Sequence, residues 1–172
     1  QVDICRLLDG VVTLVNDQVT KKELTVVVDR PDDIGSLEAD ERRIRQVLFN
    51  LLSNAIKFNV AGGRIGLGAR RDGSWISLWV EDTGKGIHVE EQVRVFEKFE
   101  TGHQTQRYRG AGLGLSLVRS FVELHGGRVE LQSQPEAGTR VTCYLPLVPA
   151  LASDLDPNKL PELTETPSDL AL

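Results

Sequence analysis

Four polar side chains, Gln46, Asn50, Asn54 and Lys57, recur at spacings of four, four and three within a segment that is otherwise largely apolar. On a helix that spacing places them on one stripe. Asparagine is a weak helix former, so two of them on one stripe need a reason other than local propensity. An amide oxygen is a hard ligand suited to Mg²⁺, and a lysine ammonium can meet a phosphate. Taken alone, the stripe is equally well explained as a solvated face. A second group is Glu81-Asp82-Thr83-Gly84-Lys85-Gly86-Ile87. Here a carboxylate closes a strand-like run, and two glycines let the backbone approach a ligand closely. Asp82 could accept a hydrogen bond from an amino group. An ordinary surface turn has the same look, and Asp-Thr-Gly also occurs in aspartic proteases. The third group, Gly110-Ala111-Gly112-Leu113-Gly114-Leu115, opens a helical pattern. Free backbone N–H groups and the helix dipole favour anions such as phosphate there. The dinucleotide fingerprint would need glycine where Leu115 stands, and no Gly-x-x-x-x-Gly-Lys-Ser/Thr loop occurs, so both of those nucleotide folds are disfavoured.

The elements that must carry these groups follow from periodicity. Val2 and Ile4 alternate as in a short strand, and Leu7, Leu8, Val11, Val12, Val15 and Val19 predict a helix near Cys5 to Lys22. Leu24 to Val28 reads as a strand ended by Pro31-Asp32-Asp33. A second helix starts after Asp40, a good N-cap, and its broad apolar face runs from Ile44 to Ile56. Asp72-Gly73 between Arg64–Arg71 and Ser74–Glu81 predicts a hairpin. Val89 to Phe99 reads as a short helix and Glu100 to Tyr108 as a mobile loop. Leu113 to Leu124 is helical and closes on Gly126-Gly127; Arg128–Gln132 and Thr139–Leu145 read as strands. Hairpins mixed with helices indicate an α+β fold rather than a parallel doubly wound sheet.

Composition sets the outer bounds. The 172 residues fit one globular domain, residues 1–147, and a flexible acidic tail, residues 148–172. That tail holds five acids against one lysine and four of the seven prolines. Such a stretch sustains neither helix nor ladder. A net charge of −5 without a basic cluster argues against nucleic acid as a partner. Cys5 and Cys143 lie far apart in no metal or disulfide spacing, and both are expected in the core. With no signal pattern and no apolar run of about 20 residues, the expectation is a soluble, cytoplasmic domain.

In order and spacing, the three groups resemble the catalytic domain of sensor histidine kinases, within the ATPase class shared with Hsp90, MutL and type II topoisomerases. The resemblance spans Val2 to Pro146. Gln46 to Phe58 matches the N box, Asp82 to Ile87 the first glycine box, Phe96-Glu97-Lys98-Phe99 the F box, Gly110 to Leu115 the second glycine box, and Gly138-Thr139 the last one. The F box and the loop after it separate the chain from Hsp90 and MutL.

That resemblance implies a two-layer α/β sandwich of the Bergerat ATP-binding type, with a mixed five-stranded sheet and three helices. It implies ATP and Mg²⁺ as ligands. Asp82 would bind the adenine amino group, Asn54 would hold Mg²⁺, and Asn50 and Lys57 would stand near the phosphates. Phe58 would pack on the adenine, while Gly84, Gly86, Ile87, Gly110, Gly112, Leu113, Gly114, Leu115 and Thr139 would shape and line the site. His103, Arg107 and Arg109 would ride on a lid near the terminal phosphate. Asn54 and Lys57 would be the catalytic pair for γ-phosphoryl transfer. None of His88, His103 and His125 has the acidic neighbours of the family's phosphoacceptor helix. The acceptor is therefore expected on a separate dimerisation domain of a homodimeric protein, with a response regulator downstream. Glu136 departs from the family, whose last box often has glycine there. Two other readings compete. One is a nucleotide- or partner-binding module with little turnover. The other, an aspartic protease built on Asp82-Thr83-Gly84, leaves the Asn helix and second glycine box without a use.

Overall fold

A computed structural model of the chain describes residues 1–96 and 112–148. In chain order the elements are β1 (Val2–Asp3), α1 (Ile4–Lys21), β2 (Thr25–Asp29), β3 (Ser36–Leu37), α2 (Glu41–Phe58), β4 (Arg64–Asp72), β5 (Trp75–Asp82), α3 (Val89–Gln92), α4 (Gly112–Leu124), β6 (Arg128–Gln134) and β7 (Gly138–Pro146). Five strands form one sheet in the order β2-β4-β5-β7-β6, and β1 pairs with β3 in a separate small one. The β2–β4 pair is parallel and the other three are antiparallel, so the large sheet is mixed. A parallel pair needs a long crossover, and α2 lies within it. The expected α+β architecture, with a mixed five-stranded sheet and three long helices, is the one observed.

The layers follow from two periods. Along β5, Ile76, Leu78 and Val80 are buried at every second position, level with Ala69 and Leu67 of β4 and with Leu145, Cys143 and Val141 of β7. Along α2, Ile44, Val47, Leu48, Leu51, Leu52, Ala55 and Ile56 form the opposing apolar face. α2 packs against both α1 and α4 and lies over β4 and β5. Each fully buried side chain of this kind contributes roughly 1.5–3 kcal/mol.

Helix ends are held by side chains. Asp3 accepts from Arg6 N at 2.9 Å to start α1, and Asp40 accepts from Arg43 N at 3.2 Å to start α2. At the other end of α2, Lys22 Nζ donates to Ile56 O at 2.6 Å and Lys57 O at 2.9 Å. A cation there also suits the helix dipole. His125 Nε2 accepts from Asp40 N at 3.1 Å while Nδ1 lies 2.7 Å from Phe121 O, so the imidazole bridges the end of α4 and the start of α2. Of the cysteines, Cys143 is buried, which pushes its thiol up to about 12, whereas Cys5 is half-buried and accepts from Arg30 Nη1 at 2.9 Å.

Several boundaries differ from expectation. Asp72 pairs with Trp75, so the hairpin turn is Gly73-Ser74, one residue later than expected, with Gly73 at φ 55°. β3 was not foreseen, because two residues are too short to show a period. α3 ends at Gln92 instead of continuing to Phe99: no side chain caps it, and Val89 and Val93 are 73% and 77% exposed, so the turn itself buries no apolar side chain. Glu97–Phe99, the loop expected at Glu100–Tyr108, and the tail beyond Val148 lie outside the described residues. Among the described residues no helix is long and apolar enough to cross a membrane.

Glu136 has φ 61°, a left-handed conformation that glycine adopts without a side-chain penalty. Its backbone N donates to Lys85 O at 2.8 Å, so this turn touches the first glycine box. Glu136→Gly should therefore stabilise the fold, by about 0.5–1 kcal/mol once the larger unfolded-state entropy of glycine is set against the relieved strain. Urea unfolding measures this, and an unchanged or lower midpoint would contradict the strain.

Candidate functional site

Period two along β5 carries the apolar row one step past Val80 to Asp82, which faces the helix side at the end of the strand. Its cross-strand neighbours are Ile65 on one side and Thr139 on the other, and Thr139 is paired with Ser133 of β6. A carboxylate therefore ends a row that is otherwise core. Burial pushes the Asp82 carboxyl above the ordinary carboxylate range. Backbone N–H groups of Gly84, at 2.8 Å, and Thr139 partly offset this, and the neighbouring charge of Glu81 adds to it. The result is a half-buried acceptor held by two fixed donors.

The loop after Asp82 is fitted between two supports. A Cβ at Gly84 would lie 2.5 Å from Phe58 O and 2.8 Å from Asp82 Oδ1, and one at Gly86, which has φ 66°, would overlap the carbonyl of Gln134. Only glycine fits at either place. Lys85 N donates to Phe58 O at 3.4 Å and Ile87 N donates to Ser133 Oγ at 2.8 Å. Ser133 Oγ in turn lies 2.8 Å from Thr139 Oγ1. Gln92 Nε2 donates to Ile87 O at 2.8 Å and to Ser133 O at 2.9 Å, which pins α3 to the same support.

On α2, Asn50 and Asn54 are half-buried, Gln46 and Lys57 are exposed, and Gln46 Nε2 donates to Asn50 Oδ1 at 3.4 Å. The first turn of α4 closes on this stripe: a Cβ on Gly114 would be 3.5 Å from Asn54 Nδ2 and 3.9 Å from Asn50 Cβ. Leu115, next in line, turns into the core at 6% exposure and so serves packing. The half-buried Phe58 ring carries two ammonium groups, Lys57 Nζ at 5.2 Å and Lys85 Nζ at 5.4 Å from its centroid. Neither lysine has a carboxylate partner among the described residues.

Three segments far apart in sequence are thus brought together: the α2 stripe, the Asp82–Ile87 loop and the start of α4. Asn50, Asn54, Lys57, Phe58, Asp82, Gly84, Gly86, Ile87, Gly114 and Thr139 fall in or against this region. Gly112 and Leu113 belong to the first turn of α4. His103, Arg107, Arg109 and Gly110 lie outside the described residues. The sequence reading overlooked Lys85, Gln92, Ser133 and Asn59. Asn59 was read only as the end of a helix, and Ser133 is a single polar residue with no spacing signal. No group of three or more His, Cys, Asp or Glu side chains that could hold a metal occurs among the described residues. An amide oxygen such as that of Asn54 fits Mg²⁺, which often takes few protein ligands and completes its shell with phosphate oxygens and water.

Residues 39–149 match the family of histidine kinase-, DNA gyrase B- and HSP90-like ATPases. The adaptive-response sensory kinase SasA of Synechococcus sp. (strain CC9902) is 41% identical over 128 residues, which are 73% of this chain and 33% of that protein. The histidine protein kinase DivJ of Caulobacter vibrioides is 43% identical over 128 residues, 72% of this chain and 21% of DivJ. The catalytic domain of the histidine kinase ThkA superposes with a TM-score of 0.76 at 28% identity, covering 86% of this chain and 95% of that domain. Full-length ShkA in complex with AMPPNP gives 0.75 at 33% identity, covering 88% of this chain and 31% of ShkA. The chain spans about a third of the length of SasA.

The burial of Asp82 has a thermodynamic consequence with a definite sign. A carboxyl whose native pKa is raised binds its proton more tightly folded than unfolded, so stability falls as pH rises through the native value. Asp82→Asn, which keeps an acceptor for Gly84 N–H, should therefore be more stable than the unsubstituted chain at neutral pH. The advantage should vanish below about pH 4, where both forms are neutral. Denaturant unfolding at the two pH values checks it; an Asn variant less stable at neutral pH would mean that the two N–H bonds outweigh burial.

Proposed function

This chain belongs to the histidine kinase-, DNA gyrase B- and HSP90-like ATPase family, and we propose that residues 1–147 are the ATP-binding catalytic domain of a sensor histidine kinase. Its task is to present the γ-phosphoryl group of ATP to an acceptor residue on a separate dimerisation domain. The observation that carries this is the meeting of Gly114 with Asn54 and Asn50, while Gly84, in the loop that follows Asp82, packs on Phe58 O at the end of the same helix. A base reader and a phosphate end are thereby set on one rigid frame.

Each residue then has a role its position allows. Asp82 accepts from the adenine amino group, and Phe58 offers an apolar face to the ring. Gly84, Gly86 and Ile87 let the loop pass close to the base. Asn54 offers its amide oxygen to Mg²⁺, and Asn50 and Lys57 stand by the phosphates. Backbone N–H groups at the start of α4, at Gly112, Leu113 and Gly114, suit the polyphosphate, and Arg109 and Gly110, which precede them in sequence, are assigned to the same end of the ligand. Bound Mg²⁺ supplies charge neutralisation at the transferred group. Phosphoryl transfer of this kind depends on positioning and electrostatics, with little covalent chemistry for the protein. The partners that fit are the phosphoacceptor domain of the same protein, a second copy of that protein, and a response regulator. ATP places the domain on the cytoplasmic side.

Calorimetry tests the site. Asp82→Ala should weaken adenine nucleotide binding more than tenfold, the effect of losing a charged hydrogen bond worth about 1.5–3 kcal/mol. Asn54→Ala should weaken Mg-ATP binding more than metal-free ATP binding; equal losses would remove it from the metal.

Labelling tests the reaction. Given radiolabelled ATP, this chain alone should remain unlabelled and should slowly label an added dimerisation segment in trans, since the effective concentration of a linked acceptor is lost. Lys57→Ala should suppress that transfer. ATP binding without any labelling of the segment would favour a binding module over a kinase.

A further inference from the structure

The geometry points to Asn59 and Thr83 as positioning residues, a side-chain clasp that sets where Asp82 stands relative to the Asn50, Asn54 and Lys57 stripe. This rests on the reading of Asp82 as the group that recognises the adenine. Asn59 follows the last residue of α2 and is 6% exposed; with Ser116 it is one of two buried polar residues among the described ones. Its Nδ2 donates to Arg64 O at 2.9 Å, and its Oδ1 accepts from Val60 N at 3.0 Å and from Thr83 Oγ1 at 3.3 Å. Thr83 completes a ring: its Oγ1 accepts from Arg64 N at 2.9 Å, and its own N donates to Arg64 O at 3.1 Å. The hydroxyl has one hydrogen, and Asn59 Oδ1 receives it at a shorter distance than Arg64 O at 3.4 Å.

The location of this ring gives it a use beyond ending a helix. The last carbonyls of α2 already have a cap in Lys22, so Asn59 is free to serve a contact remote in sequence. Gly63 leaves the space: a Cβ there would overlap Asn59 Oδ1 and fall 3.0 Å from Thr83 Oγ1. Asn59 directly follows Lys57 and Phe58, the last two residues of a helix too stiff to absorb a shift, and Thr83 is bonded to Asp82. Any slackening of the clasp therefore moves the carboxylate against the phosphate end of the site. Misplacement by about 1 Å is enough to cost orders of magnitude where two ends of one ligand must be met together. The clasp should accordingly matter for ligands that span both ends and not for ligands that touch one.

The test uses two probes on the whole chain, Mg-ATP and Mg-bound inorganic triphosphate, with Mg-GTP as the nucleotide whose base has a carbonyl where adenine has its 6-amino group. Asn59 is buried and its removal risks unfolding, so Thr83→Val, at an exposed site and of equal size, carries the argument. Thr83→Val should weaken Mg-ATP at least about tenfold, the loss expected for one misaligned hydrogen bond to a charged group, and shrink the preference for ATP over GTP. Inorganic triphosphate should bind as before, and Thr83→Ser, which restores the hydroxyl, should recover both ATP affinity and preference. Equal losses for ATP and triphosphate would reduce the clasp to general stability and overturn the proposal, as would unchanged ATP affinity in Thr83→Val. Asp82→Asn separates the two claims. If it abolishes ATP preference while Thr83→Val does not, only the clasp is wrong; if it changes nothing, the reading of Asp82 and the clasp fall together.

Discussion

A carboxylate that is desolvated at the end of a core row, yet cannot be left without donors, is the constraint around which this structure is built. Asp82 sits one step beyond Val80 on the face of β5 that holds the helices. Burial there disfavours its charge, and the Gly84 and Thr139 N–H groups limit that cost. The two donors come from different segments, one from the loop leaving β5 and the other from β7. Both must be brought within hydrogen-bond distance, which is why the backbone crowds in so closely. Gly84 lies against the end of α2 and Gly86 against the β6–β7 turn, each at a spacing that no side chain would permit.

The second feature is the double duty of α2. One face supplies seven buried apolar residues to the core, and the neighbouring stripe supplies amides and an ammonium to the site. Because the packing of Leu48, Leu51, Leu52 and Ala55 fixes the helix, it also fixes Asn50 and Asn54. α4 is held to α2 at both ends: Gly114 meets the asparagines, and at the far end His125 accepts from Asp40 N while Arg43 lies 5.5 Å from the centroid of Phe121. A helix held at two points along a rigid neighbour has little freedom to slide. Such a frame suits the proposed phosphoryl transfer, in which the protein would contribute mostly placement.

Strain collects at the same end of the sheet. Glu136, with φ 61°, is in the turn whose backbone bonds to Lys85, and Gly138, with φ 93°, would carry any side chain into Asp82 O. The turn thus keeps an unfavourable residue conformation beside the loop it supports. Positions of this kind gather near sites whose surroundings over-determine the backbone. The lysines on Phe58 belong to the same economy of space, since one aromatic ring holds two cations that lack carboxylate partners among the described residues.

Much of this was legible in residue order alone. Helical period placed Gln46, Asn50, Asn54 and Lys57 on one stripe and set the apolar face of α2, and alternation with turn residues marked β4, β5, β6 and β7 to within two residues. These are local properties, set by backbone periods of 3.6 and two that each segment carries in itself. The family resemblance was legible for a similar reason, because glycines and amides at fixed spacing record close approaches of backbone. What the tertiary structure alone decided is which segments meet. The parallel β2–β4 pair, the row that sets Asp82 beside Thr139 and Ser133, and the packing of Gly114 on Asn54 join residues tens of positions apart. So does the Asn59–Thr83–Arg64 ring, whose joining has no spacing signal because its partners meet only once the chain has folded. Asn59 therefore read as a helix end and Ser133 as one polar residue in a strand, until folding supplied their partners.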